Sequence, residues 1–389
     1  MDLTFESFFI FTACYLLILR MKEPLSSYLF VDLKFAQFTS ELLKEFSIGN
    51  KQTKTTENPP PIRIPLAAIS RKVIYKLKNI KLINSIFAIF ISTMISLGIC
   101  CCVKPSMINN TIFFDIFAII VILYLGSATA SNSHINRKTG LIFALVFGLI
   151  FFIATSYLSL GPFDIRPLIL SQISMPTVLA NVIISLIASY IAYSLYYPCL
   201  KLHQIYRSLT TLNYDIIRWQ LCQESYRLYK PFYRTIFKSI HRLSPFLTIS
   251  FIAARRYLVH IPRLDMIADI SYLSLQLLIS LFLFCMTKPG IRLILNDSYK
   301  YLTEFDKTRN FDHGKRFMKV LNRSLDMLSN YATALVTFPF VVAVCFVVYG
   351  TSYLMSGTSQ EFARVLPLFV VAVSDLAISC NKVSGSFGV

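Results

Sequence analysis

Three uncharged apolar tracts constrain this chain before anything else does: Leu82–Val103, Thr139–Phe163 and Pro167–Leu200. A helix needs about 20 apolar residues to cross the hydrocarbon core of a bilayer, and each tract is long enough. In lipid, backbone N–H and C=O groups find no water and must bond within the segment, so the tracts take the helical state. Charged residues are 15% of the 389, well short of the roughly 25% that a soluble domain carries. The solvent of this chain is therefore largely lipid, and its expected class is an all-α polytopic membrane protein.

Shorter runs complete the set. In chain order the expected spans are Ser7–Leu19, Leu82–Val103, Ile112–Ala130, Thr139–Phe163, Pro167–Leu200, Leu243–Ile261, Ile270–Thr287, Met327–Ser356 and Val365–Cys380, nine in all. Charge tests that count independently. With the N-terminus outside, 32 of the 38 Lys and Arg fall in the inner segments 20–81, 131–138, 201–242, 288–326 and the tail. That asymmetry is what the positive-inside rule demands, and it requires the weakly apolar sixth span. The reading is a multi-pass protein of the plasma membrane or an internal membrane, N-terminus outside or lumenal and C-terminus cytoplasmic. Arg20 and Lys22 follow the first apolar run instead of preceding it, so that run reads as a retained helix, not a signal peptide.

The organisation follows. Residues 1–19 are a first helix, and 20–81 a polar, basic cytoplasmic segment containing a Pro-rich linker, Lys51–Pro61. Residues 82–200 hold spans two to five. A unit then appears twice, over 201–261 together with the fifth span and over 270–356. Tyr197–Thr210 (YPCLKLHQIYRSLT) and Lys288–Thr303 (KPGIRLILNDSYKYLT) both follow an apolar run, and both precede a second run carrying Pro-Phe, at Pro245-Phe246 and Pro339-Phe340. This reads as a parallel repeat of helix, basic amphipathic segment and helix. Residues 365–389 are the last helix and tail. Leu202, Ile205, Tyr206, Leu209 and Leu212 recur at helical spacing, as do Ile291, Ile294, Leu295, Leu302 and Phe305. Such segments lie along the inner leaflet or pack beneath the bundle, with Lys201 and Arg292 as candidate lipid-contact or gating residues. The net charge of +18 is accordingly assigned to anionic lipid headgroups and not to nucleic acid.

Few residues offer chemistry. Asp115 and Asp375 are the carboxylates expected inside spans, beyond the first few residues of the chain. A charge there is costly and faces a partner, a cavity or an ion path. With the amides Asn181 and Gln276, Asp375 is expected to form a polar interior cluster, although interhelical hydrogen bonding alone explains the two amides. The nine Cys form no CxxC, and the five His (134, 203, 241, 260, 313) lack a carboxylate cluster at ligand spacing, so no metal or cofactor is expected. No GxGxxG, Walker loop, HExxH or GxSxG occurs, and no TVGYG pore filter. No catalytic residue is assigned. Asn109-Asn110-Thr111 is a glycosylation sequon in an outer loop.

The stretches Tyr197–Leu202, Leu243–Leu247 and Leu275–Leu295, closing on Ile291-Arg292-Leu293, resemble the transmembrane protein 161 family of animal polytopic membrane proteins. A short N-terminal helix followed by a basic polar segment is similar to that family's start. The compact segment between the last two spans and the end at Val389 depart from it. The resemblance implies a protein without enzymatic turnover that regulates potassium and calcium currents, with ion channel subunits as partners. Two other readings stand beside it. A channel or transporter would use the bundle interior as its path. An invertebrate chemoreceptor would have seven spans and a Gln-Phe signature in the last, which this chain lacks.

Overall fold

The computed structural model describes residues 2–20, 26–30, 34–36, 66–68, 79–103, 108–128, 134–157, 165–167, 176–210, 231–258, 264–296, 327–355 and 358–386, with a few single residues between them. The Lys51–Pro61 linker, Leu212, Leu302 and Phe305 lie outside the described residues.

The described residues are almost entirely helical, and several of the helices are long and apolar enough to cross a membrane. The principal ones are α1 (Asp2–Leu19), α3 (Ile80–Val103), α4 (Ile108–Ala128), α5 (His134–Tyr157), α6 (Thr177–Thr210), α7 (Pro231–Leu258), α8 (Leu264–Cys285), α10 (Leu328–Thr351) and α11 (Thr358–Ser386). Two short helices, α2 (Ser27–Phe30) and α9 (Thr287–Asn296), join them, and a 3-10 turn over Ser352–Leu354 follows α10. Among the described residues six helices are long and apolar enough to cross a membrane, over Ile80–Ile99, Arg137–Tyr157, Thr177–Ile205, Met266–Cys285, Leu328–Leu354 and Gln360–Cys380. Phe8–Leu19 and Phe114–Ala128 are shorter apolar stretches.

Several boundaries differ from the sequence reading. The fifth span begins at Thr177, after Pro176, and runs without a break through Pro198 to Thr210. The first amphipathic segment is therefore the end of that helix. The corresponding chain after α8 turns at Met286 before α9 begins. Helix α8 starts six residues earlier than expected and so takes in Asp269. The sequon falls in the first turn of α4, because that helix begins at Ile108 instead of after a longer loop. Within the polar 20–81 segment, Lys34–Ala36 pairs antiparallel with Leu66–Ala68, a short ladder that hydropathy does not signal.

Burial shows what solvates the bundle. On α5, Leu141, Leu145, Leu149 and Ile153 are exposed while Ala144, Phe147 and Phe151 are buried. An apolar face of this extent turned outward belongs in lipid. Helix α7 is inside out in the same sense: Leu243, Phe246 and Ile249 are exposed, whereas Ser244 and Thr248 are buried. Helix α10 fills the centre and packs on α3, α4, α6, α8, α9 and α11. Its Phe340 ring stacks on Phe90 of α3 with centroids 4.2 Å apart and also meets Phe87 and Phe284.

Without a hydrophobic drive between helices in lipid, close backbone approach supplies association. Gly140, Ala144 and Gly148 recur every four residues on α5. A Cβ built on Gly148 would lie 1.8 Å from Ser189 Oγ of α6, so a larger residue there would have to displace the Ser189 hydroxyl.

The contacts also fix direction. Asn79 donates to Asn330 Oδ1 at 3.1 Å, and Phe90 stacks on Phe340, so α3 and α10 run parallel. Tyr349 donates to Asp269, and Phe284 meets Phe340, so α8 runs antiparallel to α10. Gly140 faces Tyr196 and Gly148 faces Ser189, so α6 is antiparallel to α5. Ile205 near the end of α6 lies against Gly290, just beyond α8, and Leu335 of α10 lies beside them. Helices α6 and α8 therefore finish at the same end of the bundle.

Candidate functional site

Buried polar side chains occur on most of the helices, and those of α7, α8 and α11 join into one hydrogen-bonded cluster where these helices meet. Helix α8 delivers a stripe at helical spacing, Asp269, Tyr272, Gln276 and Ser280, all buried. Helix α7 delivers Ser244 and Thr248, one turn apart on its buried face. Helix α11 delivers Ser374 and Asp375, the latter only 1% exposed.

Asp375 is the acceptor at the centre. Ser244 Oγ donates to its Oδ1 and Thr248 Oγ1 to its Oδ2. Thr248 has one hydroxyl proton and commits it to Asp375. Its 3.1 Å contact with Tyr272 therefore has the tyrosine hydroxyl donating. Gln276 Nε2 donates to the same Thr248 oxygen at 3.4 Å. The hydroxyls of Ser244, Thr248 and Tyr272 and the Gln276 amide thus form one chain of donors that ends on the carboxylate. The ring of Phe251 stacks on Tyr272 with centroids 4.1 Å apart and walls the cluster with an apolar face.

Each sequence-expected residue can now be placed. Gln276 and Asp375 are brought together, joined through Thr248. Asn181 is buried on α6, but no hydrogen bond links it to this group, and its Oδ1 has no partner among the described residues. Asp115 is buried on α4 at 4% exposure, and among the described residues no hydrogen-bond donor faces it. Lys201 is half-buried near the end of α6: its ammonium donates to Gln204 at 3.0 Å and lies 4.2 Å over the Tyr331 ring of α10. Leu202, Ile205 and Ile291 are buried, so these segments pack beneath the bundle. Arg292 and Asn109 lie in α9 and α4, with side chains outside the described residues.

Sequence reasoning missed Ser244, Thr248 and Tyr272, and also Asp269. Tyr349 donates to Asp269 Oδ2 at 3.2 Å, Tyr353 donates to the Tyr349 hydroxyl at 3.2 Å, and Arg364 lies 5.1 Å over the Tyr353 ring. This second polar chain sits at the opposite end of α8 from α9. The recurrence of Asp269, Tyr272, Gln276 and Ser280 on one helical face was the readable signal for it.

Among the described residues no group of three or more His, Cys, Asp or Glu is placed to hold a metal ion. The capacity of the arrangement is to hold a charge inside an apolar bundle. No family model, no curated protein and no solved structure matches this chain.

Proposed function

We propose that this chain is a nine-crossing membrane protein that modulates cation currents, potassium or calcium, without enzymatic turnover. The observation that carries the reading is Asp375, a carboxylate sealed inside the bundle and held by hydroxyls from a different helix. An intramembrane carboxylate is expensive to keep and marks a cation-responsive element. Support for modulation over conduction comes from α10. The second half of this central helix buries Val341, Val342, Val344, Cys345 and Val348, an apolar plug across any aqueous path along it. The resemblance to the transmembrane protein 161 family points the same way and names channel subunits as the partners.

Direction as well as charge supports nine crossings. Helices α6 and α8 finish at one end, so the chain between them must return across the bundle. Helix α7 makes that return: Phe251 meets Tyr272 and Thr248 meets Gln276, antiparallel to α8. Its apolar stretch is only Leu243–Ala254, bounded by Arg242 and by Arg255-Arg256, which is why composition alone undervalues it. Its apolar outward face is that of a crossing helix. The parallel repeat belongs to the same reading, since α6 and α8 run one way and α7 and α10 both return. The N-terminus is then outside or lumenal, and the basic inner segments rest on anionic headgroups of the plasma membrane or an internal membrane.

The test is electrical. The purified protein, reconstituted alone in a planar bilayer, is expected to be silent. Expressed with potassium or calcium channels, it is expected to alter their current amplitude. Unitary currents from the protein alone that change in Asp375→Asn would replace modulation by conduction. Silence in both settings would end the cation-current reading.

A further inference from the structure

Around Asp375 the donors are counted but the charge is not balanced. Two hydroxyls use two of the roughly four lone-pair positions of the carboxylate. Among the described residues no Lys, Arg or His side chain pairs with it, and Tyr272 is the one other titratable group facing it from the packed elements. A second observation points to a ligand. Gln276 is fully buried, its Nε2 donates to Thr248, and its Oε1 has no partner among the described residues. A buried amide oxygen left bare costs about 1–3 kcal/mol, and this amide is joined to the carboxylate through a single hydroxyl, that of Thr248, so one cation shared between them would satisfy both. Ser244 Oγ gives its proton to Asp375 and retains its own lone pairs for the same purpose.

The ligand set is all oxygen, which selects hard cations. It holds one carboxylate; Asp269, the other buried carboxylate of α8, lies about two turns from Gln276 and is bonded to Tyr349 instead. Divalent calcium takes six to eight oxygens and magnesium a strict octahedron with retained waters, usually through one or two carboxylates and further ligands. One negative charge in an apolar surround is neutralised by one positive charge.

We propose that Asp375, Ser244 and Gln276 bind a dehydrated monovalent metal cation, Na+ or K+, between α7, α8 and α11. The proposal rests on the functional reading above for its physiological meaning, and it gives that reading its ligand. The cation ties α11 to the two-helix pair α7–α8, so its occupancy sets how tightly the last helix is held.

The experiment uses the full-length protein in detergent. Thermal unfolding is followed in NaCl, in KCl and in N-methyl-D-glucamine chloride at equal ionic strength. A ligand that binds only the folded state raises the midpoint in a saturable way. The expected result is such a rise in Na+ or in K+, and the two salts identify the ion. The rise is lost in Asp375→Asn, and in Gln276→Leu it is displaced to about tenfold higher cation concentration, the consequence of losing about 1.4 kcal/mol of ligand contact. Equal midpoints in all three salts, or a rise that persists in Asp375→Asn, would overturn the site. Direct binding of radioactive sodium to the wild-type protein, with KCl as competitor, gives the answer should either variant fail to fold. A protein that alters channel currents yet shows no cation-dependent midpoint keeps its function and loses this site. One that binds the cation yet leaves every current unchanged keeps the site and loses the function.

Discussion

Asp375 and Asp115 are both buried carboxylates on helices of one bundle, and they differ in what surrounds them. Asp375 receives hydroxyl protons from two positions on α7, and behind these stand Tyr272 and Gln276 of α8. Asp115 lies about two turns into α4, and no hydrogen bond to it is found among the described residues. Burial alone does not mark a working carboxylate. The mark is the number of groups on other elements whose own hydrogen bonds depend on it.

Removing both carboxylates breaks the comparison most sharply. Asp375→Leu is expected to cost about 3 kcal/mol, because it strands buried hydroxyls worth about 1–3 kcal/mol each. Asp115→Leu is expected to change stability by less than about 1 kcal/mol or to raise it, since an isolated buried carboxylate is itself a burden. Equilibrium unfolding in mixed micelles measures both. Equal losses would show that position, and not donor number, decides.

Thr248→Val comes next, at about 2 kcal/mol, because it deletes the donor to Asp375 and the shared acceptor for Tyr272 and Gln276. A double-mutant cycle with Asp375→Asn should show coupling of at least about 0.5 kcal/mol, whereas a cycle pairing Thr248→Val with Asp115→Asn should be additive. Tyr349→Phe sharpens the contrast at the far end of α8. Its loss, about 1 kcal/mol, is that of one hydrogen bond to Asp269, and it should leave any cation dependence of the unfolding midpoint unchanged. Ser374→Ala is the smallest. The Ser374 hydroxyl is buried without a partner among the described residues, so its removal is expected to be neutral or stabilising by up to about 1 kcal/mol.

The membrane class was legible because it depends on one local quantity, the length of uncharged apolar runs. Helix ends were less so. Pro176 moved the start of α6 by ten residues relative to Pro167 because a proline ring is best tolerated at or before a first turn. The polar cluster was half legible. Asp375 and Gln276 stand out in an apolar run by their cost, so sequence reasoning found them. Ser244 and Thr248 do not, because a hydroxyl in a membrane helix ordinarily bonds its own backbone. Thr93 donates to the Ile89 carbonyl, Thr333 to that of Ser329 and Thr337 to that of Thr333, at 2.7–2.9 Å. Nothing local separates these from Thr248, whose partner lies 127 positions away. Asn181 errs in the other direction: an amide has the right chemistry, but α6 places it away from the group.

The central position of α10 has a consequence for how the protein is made. Ribosomes deliver α3, α4, α6 and α8 to the membrane before Leu328 exists, yet the face that each turns inward is completed by α10. Insertion and assembly are separable stages for membrane helices, and here the chain order forces them apart. The early helices must wait in lipid with unfilled faces, and a nascent chain stalled before Thr351 carries every one of them exposed to quality control. Assembly of this bundle is a late event, timed by its second-to-last crossing helix.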